Sequence, residues 1–179
     1  MPRILVNAGS PGEGWLEAAL TLVEEALSRG LEVVVLAEPG FSEQLGRTLR
    51  RREVVFLRPL PGRPEETALS LIVKYGPAML VHVARPGPSL DGCSYAAGCR
   101  PIRGMFPSHY LEIIARMKGI PTLGVYRGAP EMGSYNDPAQ LYGERRCPPS
   151  PEASTMFSVE ASSLDVVREY FSRLVESYA

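Results

Sequence analysis

Arg85, Asp91 and Glu131 stand in two glycine-rich loops, RPGPSLDG and YRGAPEMGS, and each loop follows a short apolar run. Their side chains suit the chemistry of small acids. A planar guanidinium such as that of Arg85 can grip a carboxylate with two parallel hydrogen bonds. Asp91 precedes Gly92, a turn dipeptide. It either caps its own turn, with Arg85 paired to it, or ligates a divalent cation or orients a substrate amine. Glu131 lies between Pro130 and Met132 with Gly128 and Gly133 around it. A carboxylate so placed serves as a general base or a metal ligand, or is a solvated loop acid. Arg127 either holds a substrate carboxylate or balances Glu131. Tyr95 is either a ring beneath its loop or a phenolic donor to ligand.

The pattern around these loops alternates between two periods. Short apolar runs at Arg3 to Ala8, Leu31 to Ala37, Glu53 to Leu57, Ala78 to Ala84 and Ile120 to Val125 read as strands. Thr155 to Val159 is a candidate sixth. Helical periodicity runs through Trp15 to Arg29, Phe41 to Arg51, Glu65 to Tyr75, Ser108 to Lys118 and Ser163 to Tyr178. Ser108 is a candidate cap. Strands alternating with helices predict an α/β chain: a single three-layer α/β/α domain over 1–179, with a mainly parallel sheet of five or six strands. In such a sheet both loops meet at the carboxyl edge, where ligands bind. Residues 126–153 read as a long irregular loop within the domain, of the kind that is functional or mobile. A third glycine-rich loop, NAGSPGEG, joins the first strand to the first helix, where backbone amides bind anions. It matches neither common nucleotide fingerprint. Ser10 in it is a candidate substrate contact.

Composition excludes several classes. The 179 residues carry a formal net charge of −1, which argues against nucleic acid as a partner. The basic run of Arg47, Arg50, Arg51 and Arg52 reads as a solvated helix end. No apolar stretch is long enough to span a membrane, and the amino terminus reads as a strand rather than a signal peptide, so a cytoplasmic location is expected. A homo-oligomer stays open. Cys93, Cys99 and Cys147 are too few for a disulfide scaffold. Cys93 and Cys99 could close a small ring, or join Cys147 and His109 around a metal, but CxxC spacing is absent. Reduced thiols are the expectation for a cytoplasmic chain. His82, inside an apolar strand, reads as a satisfied core histidine, and His109 as a surface residue.

The order of these features resembles the carboxy-terminal part of the D-glutamate cyclase family. Matching positions are Arg85, Pro86, Gly87, Asp91, Gly92, Tyr95, Gly119 to Thr122, Gly124, Gly128, Glu131 and Gly133, and the likeness covers about a third of the chain. The family pattern has acids where Ala84 and Arg127 stand here, an amide at Pro130, and polar residues at Ala96 and Ala97. The resemblance implies a lyase that closes D-glutamate to 5-oxo-D-proline with loss of water, or a small-acid-binding module that has kept the cleft without the reaction. In the lyase, Glu131 and Asp91 are the catalytic or metal-binding candidates, with Mg or Mn as the possible ion. Arg85, Gly87, Gly92, Tyr95, Arg127, Gly128, Gly133 and Ser10 would contact substrate. A metal-dependent hydrolase of a small phosphorylated or amide substrate is a further reading of the same residues.

Overall fold

The computed structural model describes residues 1–9, 14–49, 53–60, 62–142 and 146–178. Six runs rich in β-branched and aliphatic residues form one sheet: β1 (Arg3–Ala8), β2 (Glu32–Ala37), β3 (Val54–Leu57), β4 (Met79–Val83), β8 (Thr122–Tyr126) and β9 (Phe157–Glu160). Three short strands, β5 (Gly87–Pro88), β6 (Ser94–Ala96) and β7 (Arg100–Pro101), form a separate antiparallel sheet between β4 and the following helix. The helices are α1 (Trp15–Ser28), α2 (Pro39–Leu49), α3 (Pro64–Tyr75), α4 (Ser108–Met117), α5 (Pro138–Tyr142) and α6 (Leu164–Tyr178).

In the large sheet the strand order is β3-β2-β1-β4-β8-β9, and every neighbouring pair is parallel. Parallel neighbours need crossover connections, which the helices supply. One face packs on α1, α2 and α6 through Ile4, Val6, Val33, Val35, Val81 and Leu123. The other face meets α3 and α4 through Leu5, Val34, Leu36 and Leu80. Both faces are therefore covered, which is why the strands read as continuous apolar runs rather than alternating ones. The chain works outward from β1 to β3, then returns to start again at β4. Ligand crevices in open α/β sheets open at such a reversal, at the carboxyl ends of the strands.

Between β1 and β4 that crevice is tightly drawn. Gly9 donates its N–H to Val83 O at 2.7 Å. Any Cβ on Gly9 would fall on the Ala84 carbonyl. Farther along the edge, the backbone of Met132 and Gly133 lies directly on Gly124 in β8.

The sequence-based segments and the observed elements agree closely, apart from the small sheet of β5, β6 and β7, which the sequence reading did not include, and two further differences. The stretch from 126 to 153 holds α5 and two 3-10 turns, Ser134–Asn136 and Pro151–Ala153. Ser108 does not cap α4; Pro107 holds the cap position and Ser108 turns inward, fully buried. Arg50, Arg51 and Arg52 lie outside the described residues.

Gly124→Ala is expected to cost at least about 2–3 kcal/mol, because its Cβ would sit 2.5 Å from Met132 O and 2.6 Å from Gly133 Cα. Backbone atoms cannot swing aside as a side-chain tip can. Gly46→Ala, inside α2 with only the Phe56 ring 3.7 Å away, should instead gain up to about 1 kcal/mol. Urea unfolding of the two variants checks the contrast.

Candidate functional site

The two loops named from sequence do meet. Pro86 and Glu131 form an antiparallel bridge. Gly87 donates its N–H to Pro130 O at 2.7 Å, and Met132 donates to Arg85 O at 2.9 Å. The Ala129–Pro130 peptide is cis. Gly133, at φ 98°, packs against Gly124 and lets this loop lie flat over β8. Gly128 is half-buried beside Ala97.

Glu131 is 2% exposed. Its carboxylate accepts the Arg127 N–H at 2.9 Å. Burial pushes its carboxyl up to about 7 from an ordinary 4.5, against the backbone N–H groups of Arg127, Gly128 and Ala97, which favour the charged form. Ala97 belongs to the turn between β6 and β7, so one buried acid reaches both loops. The Arg127 side chain is exposed at the end of β8. Its guanidinium lies 4.6 Å from the centre of the Trp15 ring, in the first turn of α1, and touches Gly14.

Arg85 is 1% exposed and its donors are committed to protein groups. Nε donates to Ser108 Oγ at 2.9 Å, Nη1 to Ala8 O at 3.1 Å and Nη2 to Phe106 O at 3.0 Å. Both Nη groups reach Glu38 Oε1, at 3.3 and 3.4 Å. Its partner acid is therefore Glu38 and not Asp91. Burial weakens its hold on the proton while Glu38 opposes that. The guanidinium fills the reversal point beneath the loops.

Asp91 and Tyr95 sit apart from this. Asp91 is exposed, accepts the Cys93 N–H at 2.9 Å and takes the Tyr95 hydroxyl at 2.6 Å. That hydroxyl holds the Asp91 carboxyl below its usual range, and Asp91 in turn pushes the Tyr95 phenol up to about 12. Gly92, at φ 78°, completes the turn with an N–H to Ser89 O. Asp91 thus caps its own turn. A shared Mg or Mn ion does not fit these residues. Asp91 spends its two oxygens on the turn, Glu131 is turned into backbone amides, and no group of three candidate metal ligands occurs among the described residues. Ser10 lies outside the described residues.

Sequence reasoning passed over a buried polar chain on the α4 face of the sheet. Asn7 Nδ2 donates to Ser108 Oγ at 2.9 Å and to His82 Nδ1 at 3.0 Å. His82 Nε2 lies 3.2 Å from Glu112 Oε2, and Thr122 Oγ1 and Arg116 Nε both donate to Glu112 Oε1 at 2.7 Å. Burial opposes the charge on Glu112, yet these donors hold its carboxyl below the ordinary range. His82 is thus a satisfied core histidine, as its strand position indicated. His109 is not a plain surface residue: it is half-buried, and its Nδ1 is enclosed without a partner among the described residues. Glu38 was also missed. Its signal was positional, an acid directly after an apolar strand run.

The cysteines correct the expectation of three reduced thiols. Cys99 and Cys147 form a disulfide with Cα atoms 5.6 Å apart, and Cys93 is free and exposed. The segment after Cys147 folds back onto the small sheet. There Ser89 Oγ and Leu90 N–H both donate to Pro148 O, and Ser89 bridges Pro149. This docking carries Cys147 to the β6–β7 turn, whereas Cys93 lies in the preceding turn. Linking residues 48 apart restricts the unfolded chain by about 4 kcal/mol.

No family model matches this chain, and no curated protein matches it. Solved structures match in fold. The structure of MT0777 superposes with a TM-score of 0.55 at 13% identity, covering 100% of both chains. The phenylacrylic acid decarboxylase from Aquifex aeolicus gives 0.53 at 13% identity, over 99% of this chain and 97% of that one. MurG from Acinetobacter baumannii gives 0.47 at 15% identity, and the chain spans only 36% of its length. With the strand order above, the first two likenesses define a Rossmann-like three-layer fold. No helix among the described residues is long and apolar enough to cross a membrane.

Two outcomes are expected. Thiol titration under denaturing, non-reducing conditions should find one thiol per chain and, after reduction, three. For Glu131, a carboxyl raised in the folded state favours the protonated form. Its contribution is fully present below about pH 4.5 and is lost as pH rises through about 7. Over that window the loss should approach about 3 kcal/mol, and Glu131→Gln should flatten it. Urea unfolding at several pH values measures both.

Proposed function

We propose that this chain is a D-glutamate cyclase-like protein that binds a small carboxylate-bearing ligand at the carboxyl edge of its sheet, without closing it to a lactam. One observation carries the reading: Arg127 brings a cation to the end of β8, over Trp15 and against Gly14, where α1 begins. Helix amino termini and guanidinium groups both favour anions. The family pattern has an acid at this position, so the local charge is inverted and a negatively charged ligand group gains.

Cyclisation needs more than a clamp. An amine must lose its proton, a side-chain carboxyl must be polarised, and the other carboxylate must be held. Arg85 is walled in and Asp91 is tied into an exposed turn. Only Glu131 has the character of a base, since a carboxyl near 7 is poised to exchange a proton at neutral pH. That observation favours the second reading, a lyase in which Glu131 takes the amine proton.

Calorimetry and product analysis separate the two. D-glutamate or 5-oxo-D-proline should bind saturably and raise the unfolding midpoint. Arg127→Ala should weaken binding by roughly tenfold or more, the loss of one charge-assisted contact. No 5-oxo-D-proline should accumulate from D-glutamate, with or without Mg²⁺ or Mn²⁺. Robust turnover that Glu131→Gln abolishes would establish the lyase instead. If no small acid binds, both readings fall.

A further inference from the structure

The large sheet ends at β3, and α3 leaves that strand partly uncovered. The helix carries the chain from β3 back across the sheet to β4, so its apolar side packs over the middle strands. Ala68 and Ile72 join Leu5, Val34, Leu36 and Leu80 in one cluster. Val55 and Leu57 point to the same face of the sheet, since strand side chains alternate. Yet Val55 is 44% exposed and Leu57 only half-buried. A cavity of about 670 Å³ lies between Leu57 and α3. β3 pairs with β2 alone, and among the described residues no other backbone group bonds to it. Its outer row of N–H and C=O groups is therefore available to a further strand.

The other wall of this groove is a stripe along α3, with Thr67, Ser70, Leu71 and Lys74 at steps of three and four residues. Its middle is largely apolar, through Leu57, Leu71 and Tyr75, and its two ends are cationic. Arg58, directly after β3, and Arg63, at the start of α3, stand at the carboxyl edge of the sheet. Lys74 stands at the opposite end, in the last turn of α3. Arg58 approaches Glu43 only to 4.0 Å, and Arg63 is met by Glu66 at 3.0 Å. Lys74 Nζ lies 5.2 Å from the centre of the Tyr75 ring. Glu66 is the one acid against three cations in the lining, so the groove suits an occupant with an apolar middle and acidic ends.

We propose that this edge accepts an extended acidic segment of a partner protein, added as a further strand beside β3. Strand addition draws affinity from main-chain hydrogen bonds and specificity from alternate side chains. Here one alternate set of side chains enters the groove, over the exposed Val55 and toward Leu71 and Tyr75. The axial rise from Arg63 to Lys74 is about 16 Å. Five extended residues span about 13 Å between their ends. Acids at the first and fifth positions therefore reach both cationic ends through their side chains, with an apolar residue between them on the same side. A second copy of this chain is a poor occupant, because it brings the same three cations to the groove. The surface goes beyond the small-acid reading, which rests on the end of β8 and the start of α1.

Calorimetry and amide NMR on the full chain test this, with the end-blocked peptide glutamate–threonine–leucine–threonine–glutamate as probe. It should bind saturably, with shift changes centred on β3 and α3, and roughly tenfold or more tighter than the same peptide with lysine at both ends. Methylating one alternate set of its amide nitrogens should abolish binding, and methylating the other set should not, since a paired strand bonds its neighbour along one edge. Lys74→Glu, at an exposed position, should weaken the glutamate peptide roughly tenfold, favour the lysine peptide and leave the unfolding midpoint near its original value. Small-acid binding should be unchanged in that variant, which keeps failure here distinct from failure of the site at β8. Absence of saturable binding, equal affinity for the lysine peptide, or indifference to which amides carry methyl groups would overturn the assignment. So would a stable dimer of the free chain in which the β3 amides are protected from exchange.

Discussion

The burial of one guanidinium organises the carboxyl edge of this sheet. Arg85 sits where strand order reverses, and it gathers Ala8 from β1, Glu38 after β2, and Phe106 and Ser108 at the approach to α4. A charge so enclosed is tolerated only when its donors are met and a counter-charge is near. Each partner therefore restricts a different segment. The open crevice of a doubly wound sheet is here occupied by the protein itself.

A line of polar groups continues from that centre through the sheet. Ser108 accepts from both Arg85 and Asn7, Asn7 reaches His82, and His82 reaches Glu112. Asn7 and His82 are register partners on adjacent strands. Their side chains point to the same face, so a polar pair replaces an apolar one in the layer beneath α4. Polar chains of this kind specify packing when every member is satisfied. Here one atom, Asn7 Oδ1, has no partner among the described residues.

Much of the fold was legible because parallel strands covered on both faces carry dense apolar runs. LTLVEEALS and EVVVLA have different periods, and their repeated alternation along the chain is the pattern of a parallel α/β sheet. The convergence of the two loops was legible for the same reason, since both follow parallel strands. The fate of individual polar side chains was not. Whether Arg85 faces ligand or core depends on Glu38 and Phe106, which lie 47 and 21 residues away along the chain. Ser108 carries the residue type of a helix cap, yet its hydroxyl is drawn inward by two donors from distant strands. The cysteine pairing was hidden likewise, because it follows from how the segment after Cys147 docks on Ser89.

That docking and its disulfide give the molecule a closed covalent circuit. The ring runs from Cys99 through α4, β8 and α5 to Cys147, and so encloses both an interior strand of the large sheet and the loop that bears Glu131. Cleavage of a single peptide bond anywhere within it would leave one molecule rather than two pieces. The edge that carries the candidate ligand groups is therefore tethered twice, once by the chain and once by sulfur. Damage to its backbone and loss of its shape become separable events, with the redox state of one bond deciding whether the second follows from the first.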